Sequence, residues 1–195
     1  AAGPLIFIAD TATAMSPITK KYHQQFGWAC QISCVDHPGL IGDGMLFGPV
    51  PPKPPATIDE SKSLGIDCQS LHNAELHAIG EVLLHVLHFD QLFTDNHLRI
   101  NHYLNNTIDD LLPSRSTSTI TRHNTKPFSV IRQLFDKVKS VVNSITFINK
   151  TGEERCCEDT VVQKAFIGAQ GELCTAGRYI FGPLFSQPAT VPLAK

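Results

Sequence analysis

Residues 73–95 read NAELHAIGEVLLHVLHFDQLFTD, a stretch that predicts one amphipathic helix followed by a short strand. Glu75 lies in the first turn of this helix, and Asp95 follows the apolar run LFT, which predicts a strand that ends in a carboxylate. Because a lone carboxylate at the edge of a core is costly, the two acids indicate a site that holds a cation or a proton. The apolar positions of the helix recur at close to 3.6-residue spacing: Ala74, Ala78, Ile79, Val82, Leu83, Val86 and Leu87.

Three strands are predicted ahead of this stretch. Residues 5–9 (LIFIA) form a compact apolar run that predicts a buried central strand with Asp10 at its C-terminal end. The polar residues after it predict a loop or a short helix, and residues 27–35 predict a second strand. A third strand is expected near residues 45–50 or residues 64–68, and the sequence leaves both positions open because this region is rich in Gly and Pro.

Beyond residue 95 the pattern predicts three helices and one more strand. Residues 96–112 predict a helix, and a polar, basic segment follows it. Residues 127–142 predict a third helix with proline near its start, and residues 144–148 predict a strand. Residues 156–167 predict the final helix, with Asp159 in its first turns. Carboxylates therefore fall at the ends of two predicted strands and at the starts of two predicted helices.

The composition is that of an ordinary globular domain, with 42% hydrophobic residues and a formal charge of −2, so any surface for nucleic acid must be local. We expect one domain at residues 1–168, with a Gly/Pro-rich insertion at 36–70 and a tail or linker at 169–195. No apolar run reaches about 18 residues and no signal peptide is visible, so we expect no membrane partner. The expected location is intracellular (cytoplasm or nucleus) or a viral particle rather than secreted, and the six cysteines are expected to be reduced.

Together these motifs resemble the type 1 ribonuclease H family, which includes cellular enzymes and the RNase H domains of reverse transcriptases. The resemblance spans about residues 5–167 and rests on the segments IADTATA, FGWACQI, NAELHA, FTDN and ITFINKTGEERCCEDTVVQKA. It implies four metal-binding catalytic acids, with Glu158 as a rival for the last place: Asp10, Glu75, Asp95 and Asp159. The glycine that follows the first acid in the family, and the histidine of its last loop, are both missing here.

The resemblance implies an α/β, RNase H-like fold: a central mixed five-stranded sheet, three antiparallel strands and then two parallel strands, flanked by helices. It further implies a metal-dependent endonuclease that hydrolyses the RNA strand of RNA/DNA hybrids, and such a domain also occurs within reverse transcriptase polyproteins, whose other domains would be partners. Two Mg²⁺ ions, for which Mn²⁺ substitutes, would clamp the attacking and leaving oxygens. The residues expected to contact nucleic acid are Asn73, Arg115, Arg122, Lys126, Arg132 and Lys137.

Each acid also has an ordinary structural explanation. Asp95 is suited to cap a following helix, and Glu75 and Asp159 are suited to complement helix dipoles. For function, two alternatives stay open: a catalytically weak or inactive RNase H-like module that binds nucleic acid or protein, and another nuclease of the superfamily, such as a resolvase or exonuclease. A zinc protease is disfavoured, because the histidine-rich region lacks the HExxH pattern.

Overall fold

A computed structural model describes residues 3–16, 25–41, 44–50, 69–103 and 126–174, with the backbone alone for residues 126–130. The strands are β1 (Ile6–Met15), β2 (Phe26–Cys34), β3 (Met45–Pro49), β4 (His97–His102) and β5 (Ser144–Asn149). The helices are α1 (Leu71–His88), the single turn α2 (Asp90–Phe93), α3 (Lys126–Lys139) and α4 (Thr160–Ala169), and a 3-10 turn spans Pro38–Leu40.

The five strands form one mixed sheet in the order β3-β2-β1-β4-β5. β1 pairs antiparallel with β2, which pairs antiparallel with β3, whereas β1 pairs parallel with β4 and β4 with β5. This arrangement confirms the predicted α/β class and the predicted sheet of three antiparallel strands followed by two parallel strands. Of the two positions left open for the third strand, residues 45–49 form it, and residues 64–68 lie outside the described residues.

β1 runs five residues beyond Asp10, so Asp10 lies inside the strand, and the predicted loop or short helix is wrong for residues 11–15, whereas residues 17–24 lie outside the described residues. The reason is that residues 11–15 still alternate between the two faces of the sheet. Phe7 and Ala9 pack into the core beneath α1, while Ala12 and Ala14 pack with Val161 and Ala165 of α4 on the other face. Small side chains here let α4 lie close to the sheet.

The prediction of a strand ending at Asp95, with a helix directly after it, is wrong. Residues 90–93 form α2, and Asp95 occupies a turn with a left-handed φ of 62° before β4 begins at His97. In β4 the buried residues Leu98 and Ile100 alternate with the exposed Arg99, which is strand periodicity. The remainder of the predicted helix, residues 104–112, lies outside the described residues.

Two helical layers cover the sheet. α1 packs on β1 and β2 and also contacts α3. From the other side, α4 packs on β1, β2 and β3. The approach of α4 is so close that a Cβ on Gly27 would overlap the Ala165 carbonyl oxygen, and one on Gly168 would lie 2.5 Å from the Gly48 carbonyl oxygen. Glycine is therefore required at these contacts.

The C-terminal part follows the prediction with shifted boundaries. α3 and β5 form close to where they were predicted, whereas α4 begins at Thr160, four residues later than expected. The fold continues past the predicted boundary at residue 168, because Leu173 is buried and Cys174 exchanges backbone hydrogen bonds with Phe47 of β3. Within the described part of the chain, no helix combines the length and apolar character that crossing a membrane requires.

Candidate functional site: an acid cluster closed by an arginine

The candidate site lies where β4 stops and β1 continues. Asp10 of β1 pairs in register with Asn101 near the end of β4, and beyond this point β1 has no β4 residue beside it. Side chains from α1 on one face and from the segment before α4 on the other therefore reach the same rim of the sheet. Three of the four predicted acids come to this rim: Asp10, Glu75 and Asp159.

Glu75 is fully buried, with no solvent exposure. Its Oε1 lies 2.9 Å from the Thr11 hydroxyl and accepts a 3.3 Å hydrogen bond from the Tyr103 backbone N–H, while its Oε2 has no hydrogen-bond partner among the described residues. Burial raises the pKa of Glu75 to about 7. A neutral carboxylic acid is thus stable at this position near pH 7.

The contacts of Thr11 agree with a protonated Glu75. The Thr11 hydroxyl lies 2.7 Å from the Asn101 carbonyl oxygen as well as 2.9 Å from Glu75 Oε1, and it has one proton to donate. If that proton goes to the Asn101 carbonyl, the second contact needs a proton from Glu75. A protonated Glu75 satisfies both contacts at once.

Asp10 is 30% exposed and is held by two side chains. Arg155 Nη2 donates to Asp10 Oδ2 at 2.8 Å, and the Tyr103 hydroxyl donates to Asp10 Oδ1 at 3.2 Å. Burial raises the pKa of Asp10 above its ordinary value, against the opposing effect of the Arg155 charge. Burial and the nearby Asp10 charge raise the pKa of Tyr103 to about 12, so its phenol stays protonated.

Asp159 is the N-cap of α4, a position at which its charge also complements the helix dipole. Its Oδ1 accepts hydrogen bonds from the backbone N–H groups of Val161 at 2.9 Å and Val162 at 3.4 Å. Its Oδ2 lies 3.3 Å from Arg155 Nη2, so the same arginine contacts both aspartates. The rival residue Glu158 is exposed, and Asp159 is the acid that faces the cluster.

Asp95 is not part of the cluster. It precedes β4, whose first residue pairs with Ile6, so it lies about six residues, or roughly 20 Å of strand, from the level of Asp10. The residue beside Asp10 on β4 is Asn101, which carries no charge, and the buried His102 and the tyrosine Tyr103 follow it. The carboxylate that the resemblance implies on this strand is therefore missing from the rim.

The predicted two-ion Mg²⁺ centre does not fit these side chains. Among the residues with described positions, no three His, Cys, Asp or Glu side chains are grouped closely enough to hold a metal ion. The space between Asp10 and Asp159 contains the Arg155 guanidinium. Mn²⁺ prefers the same oxygen donors as Mg²⁺, so these side chains do not fit a Mn²⁺ centre either.

The residues predicted to contact nucleic acid are only partly described. Asn73 is half-buried in the first turn of α1, where its backbone N–H donates to the N-cap Ser70 at 3.0 Å. On α3, Arg132 is half-buried and Lys137 is exposed. Arg115, Arg122 and the side chain of Lys126 lie outside the described residues.

Sequence reasoning missed Arg155, Tyr103 and Thr11. Arg155 stacks its guanidinium on the Tyr103 ring, 3.8 Å from the centroid, and also donates to the Thr11 carbonyl oxygen. A signal for Arg155 exists in the sequence, since it stands four residues before Asp159. Tyr103 and Thr11 carry no such signal, because their roles depend on the pairing of β1 with β4.

Comparisons with known proteins do not identify a family for this chain. Neither the comparison with protein-family models nor the comparison with curated proteins found a match. Function therefore has to be inferred from the geometry of the acid cluster and from the resemblance carried by the sequence motifs.

Proposed function

We propose that this chain is a ribonuclease H-like module that binds RNA/DNA hybrid and does not cut it. The sheet order and the convergence of acids from β1, α1 and the start of α4 support the RNase H-like fold. The main argument against cleavage is Asn101, because this uncharged residue lies beside Asp10 on the neighbouring strand.

Hydrolysis of a phosphodiester by two metal ions depends on carboxylates that surround both ions. An asparagine oxygen is neutral and attracts a hard divalent cation less strongly than a carboxylate does. The remaining acids already have other partners: burial favours the protonated form of Glu75, and Asp10 and Asp159 share the single positive charge of Arg155. These features together favour binding over cleavage.

The surface expected to bind the hybrid is the basic part of α3. Lys137 and Lys139 are exposed near its C-terminus, and Arg132 is half-buried one turn earlier. Lys and Arg bind phosphates without reading base sequence, and hybrids are recognised through backbone shape and the 2′-hydroxyl. Asn73 at the start of α1 remains a candidate for the 2′-hydroxyl contact.

The second candidate function is the nuclease implied by the resemblance, in which Mg²⁺ or Mn²⁺ supports hydrolysis of the RNA strand. One observation favours it: the buried Glu75 Oε2 has no hydrogen-bond partner, as expected of an oxygen that a cation would approach. Asp10 is the acid most directly tested, because it is partly exposed and central to the cluster.

Binding and cleavage are separated by one pair of measurements on a labelled RNA/DNA hybrid. Fluorescence anisotropy in EDTA should show binding that weakens with salt, and incubation with Mg²⁺ or Mn²⁺ should leave the RNA strand intact. RNA cleavage that disappears in Asp10→Asn would support the nuclease instead. Absence of any hybrid binding by folded protein would reject the proposal.

The proposed surface is tested by charge removal. Arg132→Gln combined with Lys137→Gln should weaken hybrid binding and reduce the slope of log K against log salt by about 0.9 for each phosphate that the variant no longer neutralises. Lys164→Gln is the matched control, because Lys164 lies on α4, across the sheet, over the Phe47 ring. An unchanged slope in the double variant would place the hybrid on another surface.

A further inference from the structure

The three acids at the rim create a charge problem that the chain solves internally. Three carboxyl groups that converge at a partly buried position repel one another when ionised. Burial raises the pKa of Glu75 and favours its neutral form, which lessens this repulsion and leaves the aspartates Asp10 and Asp159. These two need a positive charge between them, which in a metal-dependent centre comes from divalent ions.

Arg155 supplies that charge through its two terminal nitrogens, whereas its buried Nε has no hydrogen-bond partner among the described residues. Its Nη2 lies 2.8 Å from Asp10 Oδ2 and 3.3 Å from Asp159 Oδ2, and its Nη1 donates to the Thr11 carbonyl oxygen. The flat side of the guanidinium rests on Tyr103, and the side chain is only 16% exposed. A lysine cannot reproduce this set, since it has neither the planar fork nor the stacking surface.

We propose that Arg155 is the resident cation of this centre and that it excludes divalent metal ions from Asp10 and Asp159. The proposal deepens the proposed function, on which it rests, by naming what replaced the metal. A tethered guanidinium acts at an effective concentration of millimolar or more, so a dissolved ion must compete with it at every encounter. Without Arg155, the two aspartates become an open site for a hard divalent cation.

The test is metal-dependent stability, measured separately from hybrid binding and cleavage. Wild type should unfold at the same temperature in EDTA and in Mn²⁺. Arg155→Met keeps an apolar contact for Tyr103 and removes the charge, so its melting temperature should fall in EDTA. Saturating Mn²⁺ should then raise it by about 5–10 °C.

Two controls assign this effect to the centre. Lys150→Met removes a partly exposed cation from the same loop, where Lys150 pairs with Glu153 at 3.0 Å, and should behave as wild type does. Adding Asp10→Asn to Arg155→Met should abolish the stabilisation by Mn²⁺. Direct binding of Mn²⁺, followed by electron paramagnetic resonance, should show a bound ion in Arg155→Met and none in wild type.

Two results would overturn the proposal: stabilisation of wild type by Mn²⁺ that Asp10→Asn removes, or a folded Arg155→Met that Mn²⁺ does not stabilise. If Arg155→Met does not fold, Arg155→Lys decides the question. A lysine ammonium neutralises one aspartate and leaves the other open, so weak stabilisation by Mn²⁺ is expected, and its absence counts against the proposal. The two proposals have different readouts. Cleavage of the hybrid by wild type would refute the proposed function, whereas the melting temperatures in EDTA and in Mn²⁺ test the role of Arg155.

Discussion

Glu75→Gln tests whether the buried acid of the cluster is neutral in the folded protein. Glutamine keeps the size of the side chain and offers an N–H group that can donate to the Thr11 hydroxyl in place of the Glu75 proton. It removes the titratable proton. The pH dependence of stability should therefore change while the fold is retained.

The size and sign of the change follow from the pKa of Glu75. Burial raises this pKa from 4.5 in the unfolded chain to about 7 in the folded protein, so folding takes up a proton between these pH values. The stability that this proton contributes is fully present below pH 4.5 and is lost as the pH rises to about 7. The full difference is about 3 kcal/mol, or roughly 6–12 °C in melting temperature for a chain of this size.

His77 acts in the opposite direction and must be separated from Glu75. Burial lowers the pKa of His77 from 6.5 to about 3, so its contribution is present above pH 6.5 and is lost as the pH falls. In wild type the two effects oppose each other between pH 4.5 and 6.5. The Glu75→Gln variant keeps the His77 effect and loses that of Glu75, so its stability should rise more with pH in that window than the stability of wild type does.

The assay is urea unfolding of wild type and Glu75→Gln at several pH values from 4 to 8. Subtracting the two free energies of unfolding cancels His77 and every other shared group. The difference should change by about 3 kcal/mol in favour of the variant between pH 4.5 and 8. Parallel curves for wild type and Glu75→Gln would refute the reasoning about the buried proton.

Two further predictions concern packing. Gly27→Ala should destabilise the fold by about 3 kcal/mol in urea unfolding, because the new Cβ would overlap the backbone of α4. Gly39→Ala is the control and should not destabilise the fold, because no atom of the described residues lies within 4 Å of its Cβ position. Equal stabilities of the two variants would contradict the close approach of α4. Thiol labelling of the native protein, followed by peptide mass spectrometry, should modify the exposed Cys156 and Cys157 at once and the buried Cys30 only after unfolding. Early labelling of Cys30 would argue against its burial in β2.

The sheet was predictable because its signals are local. Residues 5–9 and 144–148 are apolar runs of strand-forming residues, and α1 carries a continuous apolar face. The order of strands and helices then limits the sheet to few arrangements, since parallel neighbours need a crossover between them. The class of the fold and the three acids at the rim could be predicted for this reason.

The error at Asp95 has a geometric cause that the sequence contained. From Glu75, α1 continues to His88 and carries the chain about 20 Å along the sheet. A strand returning over that distance needs about six residues, which β4 supplies at residues 97–102. The predicted strand of three residues was too short to bring Asp95 back to Glu75. The prediction rested on the local motif FTDN and not on the number of strand residues that this distance requires.

The arginine at the centre could not be predicted from a pattern of acids. Arg155 reaches Asp10 across 145 positions of sequence, and the contact exists because α4 and β1 pack together through small residues. Tyr103 enters the cluster only because β4 ends one residue before it. Such contacts depend on the register of the sheet, which hydrophobic periodicity alone does not specify.

The pairing of β1 with β4 also bears on how the chain folds as it is synthesised. β1 lies at the centre of the sheet, yet its parallel neighbour begins 91 positions later, at His97 opposite Ile6. At a synthesis rate of 5–20 residues per second, this interval lasts about 5–20 s. During that time one edge of an apolar central strand is without its partner, and such edges pair readily with other chains. Aggregation during synthesis is therefore expected to depend on how quickly residues 97–102 emerge.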